Sequence, residues 1–95
     1  MITIKLKETI KYEDKEYKEL NFKFEDLRGK DIIDIETEIL MTTNMPVLVN
    51  DIDSRFIAHA AAKAANVDIG IIENLKYCDF KEVKRAALNF LRLGE

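Results

Sequence analysis

The sequence predicts an α+β domain: an N-terminal antiparallel β-hairpin over residues 1–24, followed by three helices over residues 28–93. Three observations carry that prediction. The first quarter alternates apolar and polar residues with period two, the pattern of a strand with one buried face. From Arg28 onward, apolar residues recur at the three-to-four-residue spacing of an amphipathic helix. A chain of 95 residues supplies a single core, so hairpin and helices must cover each other.

The elements follow in order. Ile2, Ile4 and Leu6 point one way and Thr3, Lys5 and Lys7 the other, and Ile10 and Tyr12 keep the even phase. "EDKE" (Glu13 to Glu16) reads as a polar turn, after which Leu20, Phe22 and Phe24 alternate with Asn21 and Lys23. A lone hairpin is marginal in water, so its apolar face needs a cover.

In "GKDIIDIETEIL" the residues Ile32, Ile35 and Ile39 form a helical stripe opposite Asp31, Asp34 and Glu38. "TTNMP" is expected to break this helix, because Thr42, Thr43 and Asn44 are poor helix formers and Pro46 disfavours a helical Met45. Asp51 or Asp53 then caps a second helix, roughly Asp53 to Ala65, with Phe56, Ile57, Ala60, Ala61 and Ala64 on its apolar face. "NVDIGIIENL" is a connector with room for one helical turn. Asp79 and Glu82 resemble a capping box at the start of the last helix, whose Phe80, Val83, Ala87, Phe90 and Leu91 share a core-facing stripe.

Composition narrows the function. At 47% hydrophobic and 35% charged, the chain has the make-up of an ordinary globular domain. A net charge of −3 gives no global attraction to phosphate backbones or anionic lipid, so neither nucleic acid nor membrane is expected as a partner. Lys5, Lys7 and Glu8 interrupt any leader-like start, and no window approaches the roughly 20 apolar residues of a membrane span. One cysteine forms no internal disulfide, which fits a reducing compartment. A soluble, cytoplasmic protein is expected.

The chemistry-bearing residues point away from catalysis. Cys78 lies near a helix start, but a thiolate catalyst also needs a base. The one histidine, His59, falls in helical phase with Arg55 and Lys63, a solvated surface stripe. One Cys and one His do not make a four-ligand N/S metal site, and "NDIDS" lacks the spacing of a calcium loop. Gly29, Gly70 and Gly94 are isolated, so no phosphate-binding loop is present. No enzyme activity, metal or cofactor is expected. The basic stripes, Arg55–His59–Lys63 and Lys81–Arg85–Arg92, support an alternative: three helices with a hairpin resemble a winged-helix DNA-binding regulator. The block of carboxylates on the first helix argues against it.

Two features exceed the needs of a plain core. Glu36 divides the apolar arc of the first helix, with Ile32 and Ile39 on one side and Ile33 and Leu40 on the other. Either Glu36 simply extends to solvent or pairs with a lysine, or only one stripe is buried and the other faces a partner. "MPVLV" (Met45 to Val49) is unusually apolar for a loop and either tucks under the fold or docks a partner. The partner-binding residues expected on this reading are Ile33, Leu40, Met41, Met45, Val47 and Val49, the methionines supplying adaptable thioethers.

The order of these motifs resembles a known family. The opening "ITIKLKETIKYEDKEYKELNFKF", then "LRGKDIIDIETEI", then "AHAAAKAANVDIGIIENLKYCDFKEV" and the closing "NFL" are together similar to the small tail assembly chaperones of contractile-tailed phages and prophages, including the Mu-like tail proteins. The likeness spans nearly the whole chain and rests on the ordered combination. It departs at the hairpin turn, where the family commonly has glycine and this chain has "EDKE". The resemblance implies a non-enzymatic role in virion assembly. Such a protein binds the long, aggregation-prone tape measure protein and keeps it soluble while tail tube subunits polymerise around it. It is then absent from the finished particle. In several such phages a longer frameshifted product recruits tail tube protein. The resemblance supplies no catalytic residue, no cofactor and no residue-level binding motif. Pairing of two copies through an uncovered hairpin edge stays open, because an edge strand carries unpaired amides and carbonyls.

Overall fold

In a computed structural model that describes residues 1–48 and 53–93, strands β1 (Ile2–Tyr12) and β2 (Lys15–Phe22) form a two-stranded antiparallel sheet. Helices α1 (Gly29–Thr43), α2 (Ser54–Ala65), α3 (Ile69–Glu73) and α4 (Tyr77–Leu93) follow. The expected hairpin-then-helices order holds, with the connector before α4 forming the single short turn α3. Phe24 does not extend the strand: it opens a 3-10 turn (Phe24–Asp26) and is buried there, stacked between the rings of Phe22 and Phe90.

The turn is tighter than "EDKE" suggested. Lys15 and Glu16 already pair with Tyr12 and Lys11, leaving only Glu13 and Asp14 to reverse the chain. Both hold positive φ, 48° and 66°, as a two-residue hairpin turn matched to strand twist requires. Pairing is interrupted once. Lys5 faces Glu19 and Ile10 faces Tyr17, so residues 6–9 of β1 bulge opposite Lys18 alone. The three extra residues shift the pairing phase, and odd-numbered Tyr17 joins even-numbered Ile10 at the core.

Helix α1 opens with the Asp31 carboxylate accepting from the Arg28 amide at 2.9 Å. It outruns the expected break. Thr42 and Thr43 stay helical because their hydroxyls donate to the Glu38 and Ile39 carbonyls, and the helix stops at Asn44, whose left-handed φ of 59° places its amide on the Leu40 carbonyl. Asp53 caps α2 through the Arg55 amide; Asp51 lies outside the described residues.

Helix α2 is the centre of the fold. It packs against α1, α3, α4 and β2, and besides the five residues of its expected face, Ala58 and Ala62 are buried. The small side chains let neighbours approach from nearly all sides. The main core joins Leu20, Phe22 and Phe24 to Ile57, Ala61, Ile71, Ile72, Val83 and Ala87. A second cluster of Ile35, Ile39, Phe56 and Ala60 fixes α1 to α2.

The expected cap at Asp79 is replaced by a different use. Helix α4 already begins at Tyr77, ahead of that cap, its first bonds running from the Asp79 and Phe80 amides to the Lys76 carbonyl. Asp79, 1% exposed, instead points its carboxylate at the β1 bulge and accepts from the amides of Lys7 (2.9 and 3.1 Å) and Glu8 (3.3 Å). The bulge supplies amides free of the strand ladder, and the first turn of α4 suits a carboxylate through the helix dipole.

Candidate functional site

Helix α1 buries one side only. Ile35 and Ile39 are sealed against α2 and Ile32 is half-buried, while Ile33 and Leu40, two turns apart on the outer side, stay in solvent. Met41, still within α1, and Met45 and Leu48 in the segment after it are exposed as well. The exposures are 63% for Ile33, 44% for Leu40, 80% for Met41, 62% for Met45 and 86% for Leu48, values at which none of them serves the core. Glu36 sits half-buried on the boundary between the sealed and open sides.

The threonine hydroxyls of α1 are internally engaged. Thr37 donates to the Ile33 carbonyl, and Thr42 and Thr43 donate to carbonyls one turn back. A partner covering α1 therefore leaves none of these three hydroxyls without an acceptor.

The far end of the ridge is held by Arg55 from the first turn of α2. Its guanidinium donates to the Thr43 hydroxyl at 3.0 Å, to the Met45 carbonyl at 3.1 Å and to the Pro46 carbonyl at 3.4 Å. The Asp53 carboxylate orients it through bonds of 3.0 and 2.6 Å. The Arg55 guanidinium and the backbone amides of Arg55 and Phe56 hold the Asp53 carboxyl below the usual aspartate value. This clamp ties the chain after α1 to the start of α2.

Of the expected contact residues, Ile33, Leu40, Met41 and Met45 are each exposed. Val47 is set apart: it is half-buried and packs on the Ile35–Ile39–Phe56–Ala60 cluster, because the clamped loop turns it inward. Val49 lies outside the described residues. Leu48, outside the expected contact set, stands exposed within the same apolar loop; alternation with the inward Val47 is the signal that marks it.

The basic stripe of α2 does not form as helical phase suggested. Arg55 is engaged in the clamp, and His59 is mostly covered, its Nδ1 3.9 Å from a Glu38 oxygen of α1. Lys63 is exposed. On α4, Lys81, Arg85 and Arg92 do face solvent, with Arg85 3.4 Å from Glu82. Cys78 is exposed in the first turn of α4. Among the described residues no three His, Cys, Asp or Glu side chains gather as a metal site, and no helix is long and apolar enough to cross a membrane.

Comparison with protein-family models, curated proteins and solved structures returns no match. The functional reading therefore rests on the surface itself. It consists of exposed branched and thioether side chains on α1 and the segment after it, on a helix whose other side is packed against α2.

Proposed function

We propose that the protein is a non-enzymatic assembly chaperone that holds an aggregation-prone helical segment of another polypeptide, and that, following the sequence resemblance, the client is a phage or prophage tail tape measure protein. One observation carries the reading: five large apolar side chains, Ile33, Leu40, Met41, Met45 and Leu48, stand exposed on α1 and its following loop. Exposed apolar patches of this kind on a small domain mark interaction sites. The same helix has sealed its other side against α2, so the ridge is surplus to the fold. Carboxylates around it keep the free protein soluble.

Co-expression with a fragment of tape measure protein that is insoluble alone tests the proposal. The wild-type chain is expected to bring the fragment into the soluble fraction, and the Ile33→Ser/Leu40→Ser double variant, still folded, is expected to fail. Equal rescue by both proteins would sink the assignment to this ridge. The competing regulator reading predicts instead salt-sensitive binding to duplex DNA, with affinity falling steeply as salt rises.

A further inference from the structure

The charge around the ridge is distributed unevenly. Within Gly29–Thr43, Asp31, Asp34, Glu36 and Glu38 stand against Lys30 alone, leaving α1 at −3, as large as the net charge of the whole chain. The rest of the molecule is balanced. These carboxylates are also well placed. At about 100° per residue, Glu36 flanks the Ile33–Leu40 line on the side toward the core, and Asp34 and Glu38 flank Met41 on the other. Asp34 and Glu36 have no hydrogen bond or ion pair among the described residues, and Glu38 reaches only the His59 ring at 3.9 Å.

We infer that the partner of this face is a basic amphipathic helix, with apolar residues at i, i+4 and i+7 seated on Ile33, Leu40 and Met41 and lysines or arginines beside them facing Asp34, Glu36 and Glu38. The inference rests on the helix-holding reading above and adds the charge of the client segment. A bare apolar ridge accepts any apolar stripe; opposite charge on both borders steers encounter, fixes register and rejects acidic helices. The same borders argue against a second copy of this chain as occupant, because packing α1 on α1 would bring two helices of charge −3 together.

The test uses the full chain and three synthetic helical peptides sharing one leucine stripe, with flanking positions made lysine, glutamine or glutamate. Titration followed by fluorescence anisotropy is expected to give binding of the lysine peptide about tenfold or more tighter than the glutamine peptide, with the gap closing as salt rises to about 0.5 M. The glutamate peptide is expected to bind most weakly. In the Asp34→Asn/Glu36→Gln/Glu38→Gln variant the lysine and glutamine peptides should bind alike. Glutamine and lysine peptides binding wild type equally would overturn the charge assignment while leaving the helix-holding reading in place. Failure of all three peptides would overturn both. Light scattering that shows a dimer whose dissociation requires Ile33→Ser would make the occupant a second copy and likewise overturn it.

Discussion

The backbone amide of Lys7 donates to the buried carboxylate of Asp79 across 72 residues of sequence, and the Glu8 amide joins it. The hairpin and α4 are thereby locked by a bond that neither could make locally. A bulge exposes strand amides at a cost in the ladder; a helix-borne carboxylate recovers it. Because the carboxylate is almost fully excluded from water, the arrangement is stable only while donors and acceptor are both present.

Asp79→Ala should cost about 2–4 kcal/mol, since it removes the acceptor of two part-buried amides and leaves a small void. Asp79→Asn should also destabilise, by about 1–3 kcal/mol, because its NH2 group meets donors where the carboxylate offered acceptors. Lys7→Ala should change little, its contribution being the backbone amide. Urea denaturation of the three variants checks the set; a harmless Asp79→Ala would refute it.

What the sequence disclosed and what it hid divide by range. The hairpin, the three long helices and the two-sided α1 are legible because periodicity is local, and Glu36 interrupts the apolar arc where the buried side ends. Asp79 followed by Glu at i+3 fits a cap in sequence, while its actual partners lie in a bulge that no pattern in β1 announces. Thr42 and Thr43 were read as breakers from their average behaviour, but their hydroxyls find carbonyls one turn back and let the helix run on to Asn44. Arg55 looked like a solvent-facing cation. Its clamp on Met45 and Pro46 depends on where the loop returns, which composition does not encode.

Gly70 is required by a close approach. A Cβ there would lie 2.8 Å from Cζ of Tyr12, whose hydroxyl donates to Asp68 at 2.8 Å. Gly70→Ala must push the ring aside and break that bond, with an expected cost of about 1–3 kcal/mol. In a Tyr12→Ala background the sign should reverse or vanish, since alanine is the better helix former at an uncrowded site. Thermal melts of the double-mutant cycle measure this, and a cost that persists without Tyr12 would exclude the clash as cause.

The hairpin turn leaves stability to be gained. Glu13 and Asp14 occupy positive φ, where asparagine and glycine are preferred. Replacing the pair by Asn-Gly should raise stability by about 1 kcal/mol. Glycine at Lys15 or Glu16, both in the ladder, should instead lower it by about 0.5–1 kcal/mol. Opposite signs at adjacent positions distinguish a two-residue turn from the four-residue one the sequence suggested.

Acid should weaken the fold through its capping aspartates. Hydrogen bonds from the Arg55 side chain lower the Asp53 pKa, and the Gly70 amide, then the Tyr12 hydroxyl, lower that of Asp68. A depressed folded pKa gives stability that is present above the ordinary aspartate value and lost as pH falls through the lower folded one, so the loss sets in below about pH 4. Asp53→Asn should be less stable than wild type at neutral pH, with the gap narrowing toward pH about 2.5. Tyr12 behaves in the opposite sense. Its bond to Asp68 raises its pKa, so its contribution holds below the ordinary tyrosine value and is lost as pH rises through the raised one. Melts across pH of Asp53→Asn and Tyr12→Phe separate the two limbs.

The two sides of α1 should respond oppositely to the same kind of change. Ile39 is sealed against Phe56 and Ala60, so Ile39→Ala should cost about 2–5 kcal/mol through lost burial and the cavity left behind. Ile33 and Leu40 lie on the open side, and Ile33→Ser/Leu40→Ser should leave stability within about 1 kcal/mol of wild type, the expected sum of two small surface effects and a slight loss of helix propensity. The contrast bears on the proposed function, because a variant that stays folded and still fails to solubilise the proposed client separates recognition from folding. Circular dichroism melts of both variants, run beside the client-solubility assay, provide the comparison. An unfolded Ile33→Ser/Leu40→Ser protein would place those residues in the working core, and the ridge would cease to be a surface at all.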